Sequence, residues 1–126
     1  MEVLAEMDIY NIFLRHYNII MSSNEWYLKE AKKRAKQNGY NAKDLYLADD
    51  KKHKLMIKDT NNKFHYFGRI GYGDFLLYRK LEKEGKVPIG TAEIMRNRYH
   101  KSHSKIKGDW IKNKFSPNML SLMINW

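Results

Sequence analysis

The chain contains no cysteine. Disulfides, thiolate zinc sites, iron–sulfur clusters and a cysteine nucleophile are all excluded by that one absence, which fits a reducing compartment. Acid is scarce: 14 Asp and Glu stand against 24 Lys and Arg. Metal-assisted phosphodiester chemistry gathers several carboxylates around its cation, and acid–base work needs two acids converging in a cleft. The neighbouring pairs Asp49-Asp50, in a polar loop, and Glu82 with Glu84, near a helix end, both read as solvated. Long apolar runs are missing too, since no stretch approaches the roughly 18 residues of a membrane span. The start is apolar, but Glu2, Glu6 and Asp8 precede any basic residue, which does not fit a secretory leader. The expectation is a protein with no cofactor and no resident metal, not secreted, not membrane-bound, and not an enzyme.

Aromatics are plentiful, with nine Tyr, five Phe and three Trp among 126 residues. That supply argues for a packed core rather than disorder, and the length favours one domain. The formal net charge is +10, unevenly spread. Residues 1–21 carry a net charge of −2, residues 22–58 of +5, residues 59–90 of +2 and residues 91–126 of +5. A field of this sign concentrates polyanions and speeds their encounter.

Residues 2–21 carry apolar side chains at Val3, Leu4, Met7, Ile9, Tyr10, Phe13, Leu14, Tyr17 and Ile20, largely the spacing of a buried helix face. Ile12 and Ile19 make that helix apolar on most sides, which suits a deep position or a dock for another subunit. Ser22-Ser23-Asn24 offers N-caps for a helix from about Glu25 to Asn38, closed by Gly39. Lys54–Lys58 and Lys63–Phe67 flank the turn formers of Asp59–Asn62, predicting a hairpin, with a short third strand at Leu45–Leu47. Asp74 caps a helix to about Glu84, and Thr91 caps another to about Lys105. Ser116-Pro117 opens a last short helix burying Leu120, Met123 and Trp126. The fold expected is α+β: a two- to three-stranded antiparallel sheet with four to five helices. Residues 1–21 form an N-terminal extension, and residues 22–126 form a single basic domain.

Several motifs bear on chemistry. Gly68-Arg69-Ile70-Gly71 spells the GXXG of KH domains, but a strand precedes it where that fold has a helix. It also resembles a phosphate loop, yet no Gly-Lys-Ser/Thr follows and Asp74 would repel an anion. A tight strand-to-helix turn is therefore expected, with Arg69 available to a phosphate. His100 and His103 share a helix face, but Arg98, Lys101 and Lys105 surround them and disfavour a metal cation. Lys29, Lys32, Lys33 and Lys36 make a lysine face along one helix, and a second basic run spans Arg96 to Lys114. Lysines and arginines neutralise phosphates and release counterions. Trp26, Tyr27 and Trp110 are interleaved with them as platforms on which unpaired bases can stack.

The helix over Glu25–Gly39 with Gly39-Tyr40, Lys52-His53-Lys54-Leu55, and Phe67-Gly68 with Gly71-Tyr72-Gly73-Asp74-Phe75 resemble a known pattern. Lys107-Gly108-Asp109-Trp110 and Phe115-Ser116-Pro117-Asn118-Met119-Leu120, ending in Trp126, extend the likeness over about 105 of the 126 residues. It is the pattern of a family of small, basic, uncharacterised proteins of large eukaryotic DNA viruses (giant viruses) and some phages. The resemblance implies a viral protein, in the virion or the host-cell interior, cytoplasm or nucleus. It brings no catalytic residues.

The function expected is sequence-nonspecific nucleic-acid binding, to DNA before RNA, in genome condensation or packaging. Lys29, Lys32, Lys33, Lys36, Arg69, Arg96, Arg98, Lys101 and Lys105 are the expected phosphate contacts. The alternative is a minor capsid or inner-virion structural protein, docking on a protein partner or on its own copies through residues 2–20.

Overall fold

The structure is a computed structural model of the chain, and the residues it describes are 25–126. The apolar N-terminal helix and the Ser22–Asn24 caps expected from the sequence lie outside the described residues. Helix α1, Glu25–Gln37, buries Tyr27, Ala31 and Ala35 on one stripe. Two alanines in that stripe let the helix backbone lie close to its neighbours. The helix closes as expected, with Tyr40 N donating to Ala35 O at 2.9 Å.

Strands β1 (Leu45–Leu47), β2 (His53–Lys58) and β3 (Phe64–Arg69) form an antiparallel sheet in the order β1-β2-β3. Leu45 faces Ile57, Leu47 faces Leu55, and Leu55 faces Phe67, so one row of apolar side chains crosses the sheet. The β2–β3 turn is built on Asp59, whose carboxylate accepts from Asn61 N at 2.8 Å and Lys63 N at 3.1 Å. Both the hairpin and the third strand follow the sequence expectation.

Helix α2, Phe75–Lys83, starts at Asp74, whose Oδ1 accepts from Leu77 N at 2.9 Å. Helix α3 spans Thr91–His103, two residues shorter than expected. The capping expectation at its start is corrected. Gly90 holds the cap position, Thr91 Oγ1 donates instead to Pro88 O at 2.6 Å, and Glu82 reaches from α2 to accept Ala92 N at 2.6 Å. Glu82 is therefore not simply solvated; it ties α2 to the first turn of α3.

Helix α4, Pro117–Leu120, begins under a Ser116 cap as expected and runs into a π turn over Ser121–Asn125. The wider turn shifts the burial pattern. Ile124 is fully buried beside Leu120, while Met123, expected in the core, is only half-buried. Leu45, Leu55, Ile57, Phe67, Leu77, Leu81, Leu120 and Ile124 are essentially sealed from solvent. Each such side chain contributes roughly 1.5–3 kcal/mol of burial. The observed architecture is α+β, with α1, α2, α3 and the C-terminal turns packed around the sheet. Among the described residues, no helix is long and apolar enough to cross a membrane.

Candidate polyanion-binding cleft

Three helices leave a cleft of about 480 Å³ between them. Helix α1 lines it with Trp26, Lys29, Lys33 and Arg34, helix α2 with Phe75, Arg79, Lys80 and Lys83, and helix α3 with Arg96. Two glutamates are the acids on its walls, Glu30 and Glu93, against seven Lys and Arg. Both are occupied: Glu30 pairs with Lys33 at 3.2 Å and Glu93 with Arg96 at 3.7 Å. Lys80 has Glu84 at 3.5 Å, just outside the walls. For Lys29, Arg34, Arg79 and Lys83, no ion pair is formed among the described residues.

The aromatic floor holds the cations in place. The Arg96 guanidinium lies 4.5 Å and that of Arg79 5.5 Å from the centre of the Phe75 ring, and Lys80 Nζ lies 5.3 Å from that of Trp26. Contacts of this kind contribute about 0.5–1 kcal/mol each where water reaches them. Arg34 stands in a harder position. It is half-buried, and its Nε–H is sealed from solvent with no acceptor. Burial, then the positive charges of Arg96 and Arg79, lower its pKa from the usual guanidinium range. Arg34 thus feels the positive charge of both other guanidiniums, and of the three only Arg96 has a carboxylate within ion-pair distance among the described residues, Glu93.

A buried polar network sets the start of α2, and Lys54, Tyr72, Asp74 and Asn125 of that network line a second cleft, separate from the basic one. Lys54 Nζ donates to Asp74 Oδ2 at 2.9 Å, and Tyr27 Oη donates to the same oxygen. Asn125 Nδ2 donates to Tyr27 Oη at 2.7 Å, and Lys54 also donates to Tyr72 O. Asp74 caps α2 while its charge is neutralised by Lys54, so the expectation that it repels anions from the glycine loop is corrected. Because Phe75 follows Asp74 directly, this network also fixes the ring that carries Arg79 and Arg96.

The glycine loop is shaped by close packing. A Cβ at Gly68, where φ is +73°, would meet Asn125 Nδ2 at 2.9 Å, and one at Gly73 would meet Tyr78 Oη at 2.6 Å. Arg69 is exposed at the end of β3 and lines a separate cleft of about 400 Å³ with Lys54, Tyr72, Tyr99 and Trp126.

The expected phosphate contacts are thus divided. Lys29, Lys33 and Arg96 share the main cleft, and Arg69 belongs to the other. Lys32, half-buried, and Lys36, exposed, lie on α1 outside both clefts. Arg98 and Lys101 are exposed and turned well over a right angle from Arg96 around α3, and Lys105 is exposed just beyond its end. Arg34, Arg79, Lys80 and Lys83 were not singled out by sequence reasoning. Their signal was available in part, since Arg79, Lys80 and Lys83 sit at helical spacing on the flank of the Leu77–Leu81 stripe.

Of the expected stacking platforms, Trp26 is half-buried on the cleft wall. Tyr27 is completely buried and engaged in the polar network, so that expectation is corrected. Trp110 is half-buried, and its Nε1 donates to Ile106 O at 3.1 Å.

Histidines take varied roles. His103 stacks on Tyr99 at 3.7 Å, and Tyr99 in turn stacks on Trp126 at 4.3 Å. His100 stays exposed near the cleft; partial burial, then Arg96, then Arg34 among its neighbours, lower its pKa. His65 bonds Asp59 at 2.7 Å and His53 bonds Asp50 at 2.5 Å. Asp50 is therefore not a free solvated carboxylate. Burial would raise its pKa, but the His53 ring bond and the backbone N–H bonds from His53 and Lys52 together outweigh that and hold it at about 2. No group of three His, Asp or Glu gathers to hold a metal ion among the described residues. Comparison with known proteins finds no matching family model, no matching curated protein and no matching solved structure.

Proposed function

We propose that the protein binds nucleic acid without regard to base sequence. On this reading it holds phosphates in the cleft between α1, α2 and α3, in the service of genome condensation or packaging rather than catalysis. One observation carries the reading: Arg34 is half-buried beside Arg79 and Arg96, with no carboxylate partner. Crowding like charges on one spot costs folding free energy, and an anion bound there returns it. Guanidiniums suit phosphate because their fork of N–H donors matches two oxygens at once.

The remaining expected contacts act around this centre. Lys36, Arg98, Lys101 and Lys105 are exposed on outer surfaces of α1 and α3, where they add to the attracting field. Contacts of this kind position a strand and do not read bases.

The test is a binding titration of labelled single- and double-stranded DNA of mixed sequence over a salt series. Seven cations against two acids in the cleft leave a net excess of five. With about 0.9 counterions released per phosphate on duplex DNA, the log–log slope is expected near −4.5. Affinity should change little when the sequence is scrambled. Absence of binding even at the lowest salt would refute the reading.

A further inference from the structure

The chemistry of the cleft is narrower than that of a generic basic surface. Arg34, Arg79 and Arg96 come from three different helices, and Arg34 feels the charge of both others. Phe75 backs Arg79 and Arg96 at 5.5 and 4.5 Å. The volume of about 480 Å³ lies in the lower part of the roughly 300–1,000 Å³ typical of small-ligand sites. A cleft of this size with three guanidiniums on its walls suits one compact, highly charged group.

A diester inside a strand offers two free oxygens and a single charge. A phosphate monoester offers three terminal oxygens and about 1.5–2 negative charges at neutral pH. From three guanidiniums lining one small cleft, which favour a group of higher charge than a diester, we infer that the centre of this cleft takes a phosphate monoester, the phosphorylated end of a nucleic-acid strand or a free nucleotide. The inference rests on the polyanion reading of the cleft and names the group held at its centre.

The experiment uses two single-stranded oligonucleotides of one sequence, labelled at the 3′ end, one with a 5′-phosphate and one with a 5′-hydroxyl. Binding is measured at about 150 mM salt, where exposed charges are screened beyond about 8 Å. The phosphorylated strand should bind about tenfold tighter. That preference should vanish in Arg79→Gln, a safe substitution because Arg79 is exposed. It should also fade below about pH 6, where the monoester loses its second charge. Competition with an unlabelled nucleoside 5′-monophosphate separates the two sources. Displacement at concentrations comparable with the phosphorylated strand assigns the site to free nucleotides; displacement by the phosphorylated strand alone assigns it to strand ends. Equal binding of the two strands overturns the inference and leaves nucleic-acid binding intact. Failure of every probe to bind overturns the reading of the cleft itself.

Discussion

Lys54 Nζ lies 2.9 Å from Asp74 Oδ2, with 2% of either side chain exposed. A buried pair of this kind is weak evidence of net stability, but it is costly to break, because the surviving charge is left in a low-dielectric interior. Here the same carboxylate caps α2 and accepts from Tyr27. The pair therefore ties the sheet, α1 and α2 together at the start of α2, one residue before the Phe75 ring of the basic cleft.

Lys54→Met should destabilise the protein by about 3–5 kcal/mol, as expected for removing one partner of a buried pair. The double variant Lys54→Met with Asp74→Asn should recover part of that loss, since the uncompensated charge is gone while a cap oxygen remains. Urea unfolding of the wild type, Lys54→Met, Asp74→Asn and the double variant checks this. A double variant as unstable as the sum of its singles would count against charge burial as the cause.

Arg34→Met should behave oppositely on stability and on binding. It removes a half-buried cation crowded by Arg96 and Arg79, so the ligand-free melting temperature should hold or rise, by up to about 1 kcal/mol of stability. Affinity for DNA should fall. A large loss of stability would show that the guanidinium is a structural element and not a strained binding group.

Binding should carry a pH signature through His100. Its folded pKa is lowered from 6.5 by burial and then by Arg96, with Arg34 also contributing. The charged form is disfavoured in the folded protein, so His100 costs nothing well above pH 6.5 and lowers stability as pH falls below it. A bound phosphate offsets the arginine charges and raises that pKa. Diester DNA should then bind more tightly as pH falls through the window between the free and bound values. NMR titration of the His100 ring, with and without DNA, reads the shift; an unchanged midpoint would place His100 outside the influence of the cleft.

Gly68→Ala should destabilise the fold by roughly 1–3 kcal/mol, the range for a residue forced into an unfavourable backbone region. The added methyl carbon would also press on Asn125 at 2.9 Å. Gly71→Ala has open space around it and should cost less, although its φ is +91°. Chemical denaturation of the two variants compares them directly.

Much of the fold was legible because its signals are local. Asp59–Asn62 announces the hairpin, Asp74 and Ser116 announce helix starts, and Ala31 and Ala35 mark the buried stripe of α1. The cleft was legible only in part. Lys29 and Lys33 stand out as a helical pair, but what brings Arg34, Arg79 and Arg96 together is tertiary packing, which no window of sequence spans. Arg79 on its own reads as the wet flank of an apolar helix. Tyr27 shows the same limit. Its spacing of four from Ala31 identifies it as the inward ring, but without its partners Lys54, Asp74 and Asn125 an aromatic beside lysines reads as a stacking platform.

The most direct measurement is the salt dependence of duplex-DNA affinity for the wild-type protein and for Arg79→Gln with Arg96→Gln. If phosphates sit in the cleft, the double variant should weaken binding equally for all sequences and flatten the log–log slope by about 1.8, close to 0.9 for each cation removed. An unchanged slope and affinity would contradict the assignment and place nucleic acid, if it binds at all, on another surface.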